Sequence, residues 1–227
     1  MHVRTVGLLA EVNEIATALT HERGAPRGVL RVSCPLVVGH IAMGRIAAGY
    51  ARRFADVHLE VTTEDRQVDL IEEGYDVVIR VNPAEDSKLV GRCIHRDTLF
   101  VAAPVGFVRP DDPETPIPTV TGSSALDLKR RTVVDGGVER TMTFKSVLRL
   151  PSLLMLRDAV LAGAGAGILP HMLVADALAS GELQDWGTLP APKIEVWALH
   201  AGRRLTSGKV SAFLDFLTEA TPAMFAK

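Results

Sequence analysis

Apolar residues recur along this chain with two different periods. In residues 5–23, Leu8, Val12, Ile15 and Leu19 fall at spacings of 4, 3 and 4, a two-heptad seam. Glu11, Asn13, Glu14 and Thr17 fill the other faces of this predicted helix, which either pairs with a second helix or packs on its own domain. Gly24-Ala25-Pro26-Arg27-Gly28 then reads as a linker. Beyond it the period changes. Val29-Leu30-Arg31-Val32-Ser33 is a short β-rich run, and Val38, Ile41, Ala42, Ile46, Tyr50 and Phe54 share one helical face. Val57, Leu59 and Val61 alternate with polar residues as in a half-buried strand. Arg66 to Glu73 reads as a short helix stopped by Gly74, and Tyr75 to Arg80 as a buried strand. This β-α-β-α-β order over residues 29–80 predicts a parallel, doubly wound sheet and an α/β fold.

The second half is less regular. Strands are predicted at Leu99–Ala103, Arg131–Asp135, Ser146–Leu150, Ile168–Leu169 and Ile194–His200. Residues 109–124, with Pro110, Pro113, Pro116, Pro118 and Gly122, read as a long loop. Ser152 suits the N-cap of a helix through Leu161, residues 171–180 form a helix closed by Gly181, and Val210, Phe213, Leu214 and Leu217 mark a last amphipathic helix.

Composition narrows the function classes. Lys and Arg number 25 against 27 Asp and Glu in 227 residues, a net charge of −2, which is a poor basis for holding nucleic acid by charge alone. Two cysteines cannot build a disulfide framework, so Cys34 and Cys93 are expected reduced, in the cytoplasm. The apolar stretches at Val6–Ala10 and Ala159–Pro170 are too short for an export signal or a membrane helix. No nucleophile elbow, P-loop or metal-ligand spacing of histidines is present, so neither catalysis nor a cofactor or metal is expected. Gly163-x-Gly165-x-Gly167 lacks the spacing of a dinucleotide loop and reads as close packing of a helix end on a strand. Cys34 precedes a helix N-terminus, where a thiolate is favoured; the alternative is a small buried residue.

Several segments, taken in order, resemble the effector-binding domain of LysR-type transcriptional regulators. Gly28-Val29-Leu30-Arg31-Val32-Ser33-Cys34-Pro35 with Gly39 is similar to the family's G-x-L-R-V-S-x-P-x-x-x-G. Asp65 through Arg80 is similar to D-R-x-V-D-L-x-x-x-G-x-D-x-x-I-R, and Asp86 through Arg92 to D-S-S-L-V-A-R. Leu156-Arg157-Asp158-Ala159 through Gly165, with Leu169-Pro170, and Lys209 through Leu217 resemble the family's later signatures. The resemblance implies two Rossmann-like subdomains with a ligand cleft between them, like type 2 periplasmic binding proteins. Subdomain I would be residues 28–97 completed by 202–227, subdomain II residues 98–201, and residues 1–27 a linker helix and hinge. Because family members carry a winged helix-turn-helix before that linker, the chain by itself is expected to lack the DNA reader and not to bind duplex DNA specifically. A stand-alone solute-binding protein of the same fold is the alternative, against which the absent export signal and the helix at 5–23 both argue.

The resemblance also implies the partners. A small effector would sit between the subdomains, and a second copy would pair its helix near 171–180 with the helix at 38–54, which the small residues Ala47, Ala48 and Gly49 would allow. For the effector, the expected ligand residues are Ser33, Cys34, Leu36, Val37, Thr63, Arg80 and Ser152. The open N–H groups of the helix beginning near Leu36 would take a polar or anionic group, with hydroxyls from Ser33 and Thr63. Arg80 is either the counter-charge or half of a structural ion pair with Glu64 or Asp86. Relatives often carry Ser or Thr where Val37 stands, so an apolar Val37 favours an aromatic or aliphatic acid.

Overall fold

The structure is a computed structural model that describes residues 25–66, 68–84, 89–123, 130–191, 193–202 and 207–225, the last four of these as backbone. The helix expected at 5–23 lies outside the described residues. Two compact units emerge, one within Met1–Ile94 and Val196–Met224, the other within His95–Glu195 and Phe225–Lys227.

In the first unit, β1 (Gly28–Cys34) lies between β2 (Val57–Thr63) and β3 (Val77–Val81), all parallel, and β11 (Ile194–Ala201) and β4 (Leu89–Asp97) extend the sheet in the order β2-β1-β3-β11-β4. β11 runs antiparallel to β3, with Ala198 opposite Ile79. Alternation decides the layers. Leu30, Val32, Val77 and Ile79 are fully buried, as are Ile46 and Tyr50 of α2 (Gly44–Arg53) and Phe213 and Leu217 of α5 (Gly208–Phe225). Val78 and Leu199 instead meet Leu70, with Tyr75 and Trp197 packed against them. A single α-turn, α1 (Leu36–Val38), and a π-helical turn at Gly39–Met43 lead into α2.

The helix expected at Arg66–Glu73 is a turn among its described residues. Asp69 Oδ1 accepts from the N–H groups of both Ile71 and Glu72, and Glu73 Oε1 accepts from Asp69 N. These side-chain bonds offer the backbone an alternative to helical hydrogen bonding.

Six strands of the second unit close into a barrel in the order β10-β5-β9-β6-β8-β7. They are β5 (Leu99–Pro104), β6 (Pro116–Gly122), β7 (Arg130–Asp135), β8 (Val138–Leu150), β9 (Ala166–Pro170) and β10 (Leu183–Thr188). Val101, Ile117, Val133, Phe144 and Trp186 are among the residues that fill it. β6 overturns the reading of residues 109–124 as a loop throughout. Its prolines are tolerated because Pro116 and Pro118 pair only with β8, while β9 meets the strand at Thr119 and Val120 alone. β8 is longer than expected, and Gly136-Gly137 joins it to β7 as a two-residue hairpin with Asp135 opposite Val138. β4 and β10 were not foreseen from the sequence.

Helices α3 (Leu153–Leu161) and α4 (His171–Ser180) fall where the capping signals place them. Ser152 Oγ accepts from Leu154 N at 3.2 Å, and Gly181 ends α4 in the left-handed conformation. The glycine triplet does what its packing reading predicts. A Cβ on Gly167 would lie 2.6 Å from Val160 Cγ2 and 3.0 Å from Leu156 Cδ2, so the bare backbone lets α3 lie down on β9.

Candidate functional site

The carboxyl ends of the three parallel strands gather most of the residues the sequence singled out. Pairing sets Ser33 opposite Thr62, Cys34 opposite Thr63 and Ser33 opposite Val78, two residues before Arg80. Open parallel sheets bind ligands at this edge. Gly39 closes the chain over it: a Cβ there would fall 2.4 Å from Thr63 Cγ2.

Glu64 is the hub of the edge. Its Oε1 accepts from Tyr75 OH at 2.9 Å and from the fully buried Ser33 Oγ at 3.5 Å, and its Oε2 pairs with Arg66 Nε at 2.7 Å. Arg66 also holds both carboxylate oxygens of Glu73, with 2.8 Å from Nη1 to Oε1, and this hydrogen bonding keeps the Glu73 carboxyl below the usual range.

The remaining residues fare differently. Leu36 N donates to Asp65 Oδ1 at 3.0 Å, so the protein's own carboxylate takes the Leu36 N–H that was expected to face a ligand. Cys34 is fully buried, and burial pushes its thiol up to about 11, opposed by Arg80 and reinforced by Asp65. It is therefore the small buried residue and not a favoured thiolate. Leu36 and Thr63 are exposed and Val37 is half-buried. Ser152 belongs to the second unit, where it caps α3.

Arg80 stands apart. Its Nη1 donates to Ile79 O at 2.7 Å, while its Nη2 is buried and has no partner. Burial weakens its hold on its proton, opposed by the nearby Glu64, Cys34, Glu73 and Tyr75. Among the described residues it makes no ion pair: Glu64 goes to Arg66, and Asp86 is outside them. Glu64 was foreseen only as a partner for Arg80, and Asp65, Arg66 and Tyr75 were not foreseen as part of the site. Their one sequence signal was position, immediately after β2 and before β3. Among the described residues no group of His, Cys, Asp and Glu is arranged to hold a metal, and no helix is long and apolar enough to cross a membrane.

The edge of the parallel strands thus carries one buried guanidinium nitrogen, Arg80 Nη2, without a hydrogen-bond partner, in an α/β domain. Residues 23–222 match the family model of the LysR substrate binding domain, and the chain belongs to that family. It is similar to an HTH-type transcriptional regulator of Haemophilus influenzae, 27% identical over 217 residues, which span 92% of this chain and 75% of that protein. A probable HTH-type transcriptional regulator of Klebsiella pneumoniae, LtrA, is 24% identical over 88% of this chain and 68% of its own. Among solved structures, the regulatory domain of the LysR-type regulator CrgA from Neisseria meningitidis superposes with a TM-score of 0.73 at 21% identity, covering 86% of this chain and 100% of that one. The regulatory domain of AphB from Vibrio vulnificus gives 0.65 at 22% identity, with 85% and 98% covered. The chain is thus an effector-sensing regulatory domain of the LysR type, with the periplasmic-binding-protein-like α/β fold.

Proposed function

We propose that this domain senses a small organic acid, with Arg80 as the counter-charge for its carboxylate, and so controls transcription, in the cytoplasm, through a DNA-binding domain. The observation that carries this reading is the buried Nη2 of Arg80, which has no protein partner at the edge where ligands of such sheets bind. An effector carboxylate would satisfy it with a charge-assisted hydrogen bond. Ser33, Thr63 and Val37 lie on the same edge, and the half-buried Val37 gives an apolar wall that suits an aromatic or aliphatic acid over a sugar. Leu36 and Cys34, beside them in the first unit, belong to the same proposed set.

A thermal-shift screen of small organic acids tests this. At about 100-fold its dissociation constant a bound acid adds roughly 2.7 kcal/mol, a rise of about 5–10 °C at ~2–4 °C per kcal/mol. Arg80→Met is expected to weaken binding by about 10–100-fold, the worth of a charge-assisted hydrogen bond, and Val37→Trp to abolish the shift by filling the site. Acids whose shifts survive both substitutions unchanged would place the site elsewhere.

Self-association is part of the same reading. The outer face of α2 exposes Arg45, Ala48 and Arg52 around a shallow recess of about 650 Å³ that also touches Gly49, Arg53 and Phe216. α4 exposes Asp176, and Glu182 follows it, charges of the opposite sign for the α4 of a second copy to bring to that face. Light scattering at tens of micromolar is expected to give a dimer, and Ala48→Glu to shift it to monomer; a monomeric wild type would end this reading.

A further inference from the structure

α4 starts without a cap of its own. Pro170 precedes it and offers no side-chain hydrogen bond, so its first N–H groups depend on groups from elsewhere in the chain. Two come from the end of β4 and the residue after it. Met172 N donates to Asp97 Oδ2 at 3.1 Å, and His171 N donates to Thr98 O at 3.0 Å. The other oxygen of Asp97 accepts from Thr98 N at 2.8 Å, so this buried carboxylate ties the strand end to the helix head. His95 is two residues before Asp97 on β4 and therefore on the same face of the strand. His171 stacks on Phe100, with ring centroids 4.8 Å apart and an interplanar angle of 36°.

We propose that His95, Asp97 and His171 form a proton-responsive latch that loosens the head of α4 as the pH falls below neutral. The groups that act electrostatically on His95 are Asp97 on its own strand and His171 at the head of α4. On the other face of β4, Arg96 is paired with Glu195 at 2.9 Å. With His95 neutral, Asp97 is the charge at the helix N-terminus, and its sign matches the dipole. A proton on His95 adds a positive charge in a half-buried place, next to the positive end of the helix and competing for the Asp97 carboxylate that Met172 N uses.

The direction of the pH effect follows. Burial lowers the pKa of His95, with Asp97 opposing and His171 reinforcing. The unfolded chain, with an ordinary histidine near 6.5, takes up the proton first. This stability is therefore whole above about pH 6.5, is lost as the pH falls below it, and stops falling once the folded form is also protonated.

Hydrogen exchange and thermal melting of the full chain at pH 7.5 and 5.5 test the latch. After correction for intrinsic rates, the Met172 amide is expected to exchange at least about threefold faster at pH 5.5. His95→Gln is expected to remove that acceleration and to cut the acid-induced fall in Tm by roughly 2–4 °C. An NMR titration of the His95 ring in the wild-type chain gives an arm independent of the variant, with a midpoint below that of a free histidine expected. A Met172 exchange rate that ignores pH, an acceleration that persists in His95→Gln, or a His95 midpoint at or above 6.5 would each overturn the proposal.

Discussion

Phe213→Ala lowers the melting temperature by about 6–20 °C, the expected consequence of losing roughly 3–5 kcal/mol from a buried aromatic at ~2–4 °C per kcal/mol. Phe213 is fully buried, and its ring meets Tyr50 edge-on, with centroids 5.1 Å apart and planes at 89°. Tyr50 also touches Phe54 at 4.8 Å and Phe216 at 5.6 Å, so one aromatic cluster joins α2 to α5. Polar contacts reinforce the join. Tyr50 OH donates to Lys209 O at 3.1 Å, and Lys209 Nζ reaches Asp76 at 2.8 Å just before β3. Burial pushes the Tyr50 phenol up to about 12, so it remains a donor across the working pH range. Phe213→Leu keeps much of the buried area and is expected to cost well under half as much. Circular-dichroism melts compare the two, and equal losses would show that the edge-on aromatic geometry, not the buried volume, carries the join.

The second large effect is expected at the seam of the barrel. Gly187 has a φ of +109°, and a Cβ there would lie 2.6 Å from Val134 O and 2.8 Å from Val133 Cγ1. The next residue, Thr188, pairs with Val134, the bridge that joins β10 to β7 and closes the ring of strands. Asp185 Oδ1 accepts from Gly187 N at 2.7 Å and holds the bulge in place. Gly187→Ala therefore combines backbone strain with a backbone collision, together about 2–4 kcal/mol. Gly106→Ala is the control, because Gly106 has a φ of +89° and nothing within 4 Å of the added carbon. It is expected to cost only about 1–2 kcal/mol of strain. If both variants melt together, the seam tolerates the methyl and the collision is relieved by a small shift of β7.

The sequence was most legible where burial and backbone period coincide. β1, β2 and β3 each read out in the right order because short apolar runs, alternating in β2 and continuous in β3, mark them, and their ends then place Ser33, Cys34, Thr63 and Arg80 on one edge through parallel register. It was least legible where side chains override the backbone pattern. Asp69 turns a helix-like stretch into a turn, and Pro116 and Pro118 disguise a strand whose proline side has no neighbour to disappoint. β10 carries Gly187 and only a short apolar alternation, so nothing local announces it. At the site, positions were readable and partnerships were not. That Glu64 would be taken by Arg66, Tyr75 and Ser33, leaving Arg80 Nη2 with nothing, depends on side chains that meet only after the strands are aligned.

The order of synthesis gives the sheet sequence β2-β1-β3-β11-β4 a cost in time. β11 and α5 come from the last part of the chain, so as the ribosome adds residues, β3 waits for the neighbour it pairs with through Val196 to Leu199, and Tyr50 waits for Phe213. The strands of the barrel, by contrast, all fall between residues 99 and 188 and can close as soon as they emerge. Co-translational folding would then run from the middle outward, the barrel first and the five-stranded sheet last. Until α5 arrives, the nascent first unit presents an open strand edge and an uncovered apolar face, and it is in that interval that a trigger-factor-like holdase would have most to do.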